Sequence, residues 1–226
     1  MNTIAIYTTY CGNISAATFN AQKINKEIPH YFISNNLEVL DAAKLVGWIP
    51  VKLDIPVSSD SAISSEQAKI AKTMPQVFTE LQSYRWLFYK DDKISIDYTK
   101  LNDHIVAVSE HNSAIGLRIH RDLVNKLFAN TNILYEFCEA MLQPRYYQQR
   151  DRIIKYITDQ VELGKQLNSQ LYWTSFILRD QTHPQINHFN CEWFDGVQQC
   201  GAECQISFDF IAQKFSDSIT ILPHNL

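Results

Sequence analysis

Four consecutive large apolar residues, Trp86-Leu87-Phe88-Tyr89, run without a break into Lys90-Asp91-Asp92-Lys93. A strand with that run has no polar face to offer water, so it must lie mid-sheet, covered on both sides. Such a strand drives the chain towards a layered α/β architecture. The flanking pattern agrees. Ile4 to Thr9, Tyr31 to Ser34 and Trp48 to Leu53 read as strands. Between them, residues around Ala16 to Ile24 and Leu37 to Val46 have helical spacing. Pro50 puts the third strand near a sheet edge. Ser64-Ser65-Glu66-Gln67 matches a capping box and opens a helix towards Tyr84, which Pro75 should kink or break.

Beyond the apolar run, Ile94 to Asp97 and Ile105 to Ser109 read as further strands. Ile115 to about Leu163 reads as mostly helical, broken near Thr131 and at Pro144, and Leu171 to Leu178 as a strand. Two helices and a short terminal strand, Ile219 to Leu222, complete the pattern. No repeat or linker divides the 226 residues. Residues 1–226 are therefore expected to form one domain, a mainly parallel central sheet flanked by helices.

Only six glycines occur, and no two make a G-x-G-x-x-G turn. Gly196 and Gly201 have P-loop spacing, but Ala202-Glu203 follow where Lys and Ser or Thr should stand. Glycine-loop dehydrogenases and P-loop NTPases are thereby excluded. A net charge of -4 with no basic run argues against nucleic-acid binding. No window is apolar enough to cross a bilayer, and the first residues lack signal-peptide features. Five unevenly spread cysteines suit a reducing compartment, so a cytoplasmic location is expected. His188, Cys191, Cys200 and Cys204 have the residue types of a zinc site. Since Cys191 and Cys200 fall in one helical segment, buried free cysteines are the preferred reading.

Ligands gather at the carboxyl ends of strands in open α/β sheets. In extended backbone Asp91 and Lys93 share one face and Asp92 takes the other. A carboxylate and an ammonium side by side can hold a divalent ion and a phosphate oxygen together. A solvated turn that blunts the strand end is an equal alternative. Lys93 stands where a haloacid-dehalogenase phosphatase needs its second acid, which excludes that class.

The segment Ala68 to Phe78, then Tyr84 and Tyr89 to Ile94, resembles a family of glycosyltransferase-like domains. That family occurs in bacteria and plants and is related to the N-terminal domain of a chlorella-virus protein. Its A-R/K-x-x-K-x-x-P-x-x-x-F helix precedes a W-I-D-G-K/N-I turn; here the phenylalanine comes one residue early. Ile4 to Thr9, Ala107 to His111, Leu178-Arg179, Trp193-Phe194 and Gln205 to Phe208 match its other motifs in order.

The resemblance implies a GT-A fold, a nucleotide-diphosphate-sugar donor, expected to be a UDP-sugar, and hexosyl or deoxyhexosyl transfer to a glycan or other hydroxyl acceptor. Asp91, Asp92 and Lys93 then stand at the D-x-D position, with Lys93 replacing the second acid. A divalent metal, Mn2+ or Mg2+, is implied at Asp91 with a late histidine, His183. Tyr7, Thr8 and Thr9 are placed near the base and ribose, and Lys69 and Lys72 near the diphosphate. The family tends to carry R-D-Q where Glu203-Cys204-Gln205 stand, so Glu203 becomes the candidate general base, with Asp195 as second candidate. His111 and Arg179 fall on matched motifs and are assigned to the acceptor side. Tyr172 and Trp173 are either a sugar platform or ordinary core residues. Arg145-Tyr146-Tyr147 reads as a solvated helix. A GT-A-shaped module that binds glycan or partner without transfer is the alternative, supported by Cys204. An α/β hydrolase lacks its G-x-S-x-G elbow.

Overall fold

The computed structural model describes residues 2–13, 22, 24–120, 132–167 and 171–223. Its strands are β1 Asn2–Thr9, β2 His30–Ser34, β3 Ile49–Lys52, β4 Tyr84–Lys90, β5 Ile115–Ile119, β6 Tyr172–Asp180 and β7 Ile219–Ile221. They form one sheet in the order β3-β2-β1-β4-β6-β5-β7. All neighbouring pairs are parallel except those of β6, which runs against both β4 and β5. The mainly parallel sheet is as expected, and β3, with Pro50, lies at its edge. The helices among the described residues are α1 Leu37–Leu45, α2 Ser61–Thr73, α3 Leu101–Glu110, α4 Ile133–Ala140, α5 Pro144–Tyr147, α6 Arg150–Glu162, α7 Ile186–Cys200 and α8 Cys204–Ala212.

The apolar run is buried on both faces. Trp86 and Phe88 pack with Ile6, Phe176 and Leu178 against Leu101 and Val108 of α3. Leu87 and Tyr89 pack on the other face with Tyr7 and Ile177 against Phe189 and Trp193 of α7 and Phe208 of α8. Each large side chain so buried stabilises the fold by about 1.5–3 kcal/mol.

Four sequence expectations change. The helix before β4 starts at Ser61 rather than at the Ser64 box, because Asp60 accepts from the Ala62 and Ile63 amides at 2.7 and 3.3 Å. Glu66, freed from capping, pairs with Arg152 at 2.6 Å. The helix ends at Thr73, and Pro75 opens a separate 3-10 turn, so the proline breaks rather than kinks. Ile94 to Asp97 is no strand; Asp97 instead caps a 3-10 turn over Tyr98–Lys100. Ile105 to Ser109 belongs to α3, whose buried positions Leu101, His104 and Val108 follow helical spacing despite the β-branched residues.

The fourth change is the reverse case. Ile115–Ile119 is a strand, not a helix start, and sits between β6 and β7. Gly116 explains its tight fit: a Cβ there would lie 2.5 Å from Cγ2 of Val108 and 3.1 Å from Cδ2 of Leu222. Gly116→Ala is expected to lower stability by about 1–3 kcal/mol, read as a lower urea midpoint; an unchanged midpoint would mean that α3 can shift freely. The expected helix around Ala16 to Ile24 lies outside the described residues apart from Gln22 and Ile24, as does the expected helical stretch over 121–131. No helix among the described residues is long and apolar enough to cross a membrane.

Candidate functional site

The sheet order reverses at β1: the chain leaves it for β2 on one side and later adds β4 on the other. Crevices form at such switch points, outside the carboxyl ends of the strands. Here a cleft of about 320 Å³ opens over the ends of β1 and β4. One wall is Thr9, Tyr10 and Cys11, which follow along β1 and just beyond it. The floor is Tyr89, Asp91, Asp92, Lys93 and Ile94, with Ser175 from β6. Ser64, Ser65, Ala68 and Lys69 of α2 form the second wall, and Arg145 and Tyr146 of α5 close it. Burial pushes the Cys11 thiol up to about 11, so it lines the cleft as a neutral group.

Asp91 is bound from several sides. Its Oδ1 accepts from Tyr89 Oη at 2.6 Å and from Lys72 Nζ at 3.3 Å. Burial alone would raise the carboxyl, but the Lys72 and Lys69 ammoniums, with hydrogen bonds from Ser175 and Tyr89, hold it well below the usual carboxylate range. Lys72 itself is 2% exposed and lies over the Tyr89 ring at 5.0 Å. It therefore neutralises Asp91 from below and does not face the cleft, contrary to the expectation that it meets a diphosphate. Asp92 is half-buried, and burial followed by the nearby Asp91 charge pushes its carboxyl upward.

Lys90 was not singled out by the sequence, yet it shapes the turn. Its buried ammonium donates to the carbonyl of Ile94 at 2.8 Å and to those of Asp91 and Asp92 at 3.4 Å each. Gln22 Oε1 takes a further bond at 3.1 Å, and the ammonium rests over Trp48. Burial draws its pKa down to about 8. Only its place at the end of an apolar strand, with alternation turning it away from Tyr89 and Asp91, hinted at this role.

Behind α5 lies a second acidic group. Glu203 is 6% exposed and caps α8, its Oε1 accepting from the Gln205 amide at 3.0 Å. Tyr146 neighbours it from the cleft side. The Gln205 side chain accepts from the Thr174 amide at 3.3 Å, and Glu136 of α4 lies near both Gln205 and Glu203. Burial, then the Glu203 charge, pushes Glu136 up to about 8. Burial disfavours the Lys69 ammonium, but neighbouring Cys204, Asp91 and Glu203 outweigh that and raise its pKa.

The structure thus brings together Thr9, Lys69, Asp91, Asp92 and Lys93, with Glu203 one side chain back. Arg145 and Tyr146 join them although their segment read as a solvated helix. Other expected site residues lie elsewhere. Tyr7 is fully buried, accepts from Arg179 Nη1 at 2.8 Å, and is pushed up to about 12 by burial; Thr8 is fully buried too. Neither is among the residues that line the cleft, where the resemblance had put them beside the base and ribose. Arg179 is fully buried and tethers Tyr7, Asn190 and the Lys72 carbonyl, so it does not face an acceptor. A register shift lies between Leu117 and Arg118; Trp173 packs on the α3 side of the sheet, over the Arg118 guanidinium, and Tyr172 packs on Phe208, both partly buried.

His111 caps α3 and bonds the Ala107 carbonyl, at the sheet edge remote from Asp91. His183 follows β6, whose Asp180 pairs with Trp86 at the start of β4. Five strand residues separate that level from Asp91, roughly 16 Å. Asp195 borders a different hollow of about 360 Å³, with Tyr156, Lys165 and Lys214. Among the described residues no three His, Cys, Asp or Glu side chains converge to hold a metal. His188 pairs with Glu192 at 2.9 Å, and the cysteines are free, Cys200 and Cys204 being buried.

No family model and no curated protein matches the sequence. Solved structures match it in three dimensions. The bifunctional glycosyltransferase WbbM, in its apo form, matches with a TM-score of 0.50 at 11% identity over 98% of this chain. The fold is GT-A. This chain spans 39% of the WbbM chain. The mannosyltransferase Ktr4p of S. cerevisiae matches at TM-score 0.48 and 9% identity, over 98% of this chain and 68% of that one. Core-mannan synthase A of Aspergillus fumigatus, in its Mn/GDP form, matches at 0.48 and 9%, over 98% and 73%. At such identities the likeness is one of fold, and the chemistry must be argued from the GT-A cleft itself.

Proposed function

We propose that this GT-A domain transfers a sugar from a nucleoside-diphosphate donor, a uridine one as first candidate, to a hydroxyl of a glycan or other glycoconjugate. The observation that carries the reading is the cleft at the β1–β4 switch point, where Lys69, Lys93 and Arg145 surround the Asp91-Asp92 turn. Thr9 and Tyr10, on the wall at the end of β1, are assigned to the base and ribose. The three cations are assigned to the diphosphate, where negative charge grows as the bond to the sugar breaks.

In the transfer step the acceptor oxygen bonds to the anomeric carbon. The bond from that carbon to the diphosphate oxygen breaks, and the diphosphate leaves with its electron pair. The acceptor proton passes to a carboxylate. Asp92 lines the cleft without the lysine partner that Asp91 has, and its raised affinity for a proton suits a base. Glu203 is the other candidate, reached through Tyr146.

The measurement is release of nucleoside diphosphate from a panel of UDP- and GDP-sugars, with a small alcohol or an oligosaccharide as acceptor. Turnover is expected, and Asp92→Asn or Glu203→Gln should reduce it by about 10²-fold or more. Turnover of no nucleotide sugar, with nucleotide still bound, would favour the module without transfer. One observation favours that second reading: the buried Glu203 carboxylate is committed to capping α8.

A further inference from the structure

We propose that the cleft holds its diphosphate with protein cations in place of a divalent metal ion. The inference rests on the donor reading above and goes beyond it. A Mg2+ or Mn2+ site at a nucleotide keeps one or two carboxylates as direct ligands at about 2.0–2.1 Å, with the phosphates and water completing the octahedron. Asp91 is the carboxylate placed to serve, and one of its two oxygens is already taken. Oδ1 accepts from both Lys72 and Tyr89, and the Asp91 backbone amide is itself held by the Ser175 carbonyl at 2.9 Å. An ion on Oδ1 would sit against the Lys72 ammonium, 3.3 Å from that oxygen, and an ion on the other oxygen of the same carboxylate would still lie close to that charge. Lys72 cannot swing clear, because its side chain is 3% exposed. Two cations that close repel strongly where water is largely excluded.

Asp92 is the single further carboxylate among the cleft residues to set against that repulsion. Lys93 stands where an acid-x-acid pair would put its second carboxylate, and His183 lies at the far sheet edge. Asp92 alone lines the cleft beside Asp91, and no third ligand converges on them among the described residues. The donor set therefore does not fit a divalent ion.

It fits an anion instead. Lys69, Lys93 and Arg145 line the cleft against two carboxylates, one of which Lys72 already neutralises. The three come from separate elements, α2, the turn after β4, and α5, so they approach a bound diphosphate from different directions. Asp91 keeps a structural part in this scheme: paired with Lys72, it fixes the turn that presents Lys93.

The test is isothermal titration of UDP and of GDP into metal-stripped protein, in EDTA and again in millimolar Mn2+. At least one nucleotide should bind in EDTA with a Kd within threefold of its value in Mn2+. Lys93→Met and Lys69→Met should each weaken that binding about tenfold or more. Lys93 is exposed, so its variant reads the charge without disturbing the fold. Binding seen only with Mn2+, or tightened more than tenfold by it, overturns the inference and leaves the donor reading standing. Metal-independent binding that neither lysine variant alters also overturns it. No binding of either nucleotide under both conditions overturns the donor reading, and the inference with it.

Discussion

Asp91→Asn should lower the stability of the folded protein by about 2–3 kcal/mol, because it strands the buried Lys72 ammonium. A fully buried ion pair broken from one side costs about 3–5 kcal/mol. The value here falls below that range because Asp91 keeps 34% of its side chain in water. For a chain of this size the thermal midpoint should drop by roughly 4–12 °C. The double variant Lys72→Met/Asp91→Asn should recover part of the loss, since no charge is then left buried without a partner. Single-variant losses that simply add, within about 0.5 kcal/mol, would show that the two groups do not act as a pair.

The same contact sets an acid dependence. Folding depresses the Asp91 carboxyl from its ordinary 3.8, so the unfolded chain takes up the proton first. Its contribution is complete above about pH 5 and is lost as the pH falls through 3.8 towards the folded value. Wild-type urea midpoints should fall over that window more steeply than those of Asp91→Asn. Parallel slopes would contradict the assignment.

Arg179 should be harder still to replace. It donates to the Tyr7 hydroxyl at 2.8 Å, to Asn190 Oδ1 at 3.1 Å and to the Lys72 carbonyl at 2.7 Å, with Trp193 beside it. These acceptors belong to β1, α7 and the last turn of α2, and only a planar guanidinium reaches all three at once. Arg179→Met leaves those acceptors buried and short of a donor, at about 1–3 kcal/mol for each group so stranded. Arg179→Lys keeps a charge that burial already disfavours and supplies a single nitrogen. Both variants should lose about 3–5 kcal/mol, with lysine no better than methionine. A lysine variant within about 1 kcal/mol of wild type would refute the three-way tether.

Much of this architecture could be read from local pattern. The Trp86–Tyr89 run located the central strand, and the charges behind it located the cleft. Lys69 came from the family resemblance, since its helical spacing alone suits a solvent-facing lysine equally well. What escaped depends on direction and on distance in the chain. An isolated strand carries no mark of whether it runs with or against its neighbours. β6 runs against β4, so the loop holding His183 leaves at the opposite rim, while Ser175 enters at the cleft. Arg145 and Tyr146 reach the site from more than fifty residues away, and their polar setting looked like open surface. Arg179 read as a site residue because a charged group near a matched motif suggests a ligand. Only the packed structure shows its three protein acceptors. The β5 strand was missed because its five residues, with Gly116 among them, are too few to show alternation.

The Lys90 clamp has a consequence for how this cleft meets a ligand. Three carbonyls of the 91–94 turn are already tied to one buried ammonium before anything binds. A turn held that way has little backbone freedom left to lose, and ordering loops on association is a main opposing term in binding. On the proposed donor reading, nucleotide arriving at this rim would meet a pre-organised surface, and the entropy lost on capture would fall on the ligand and the long side chains of Lys69, Lys93 and Arg145 rather than on the main chain.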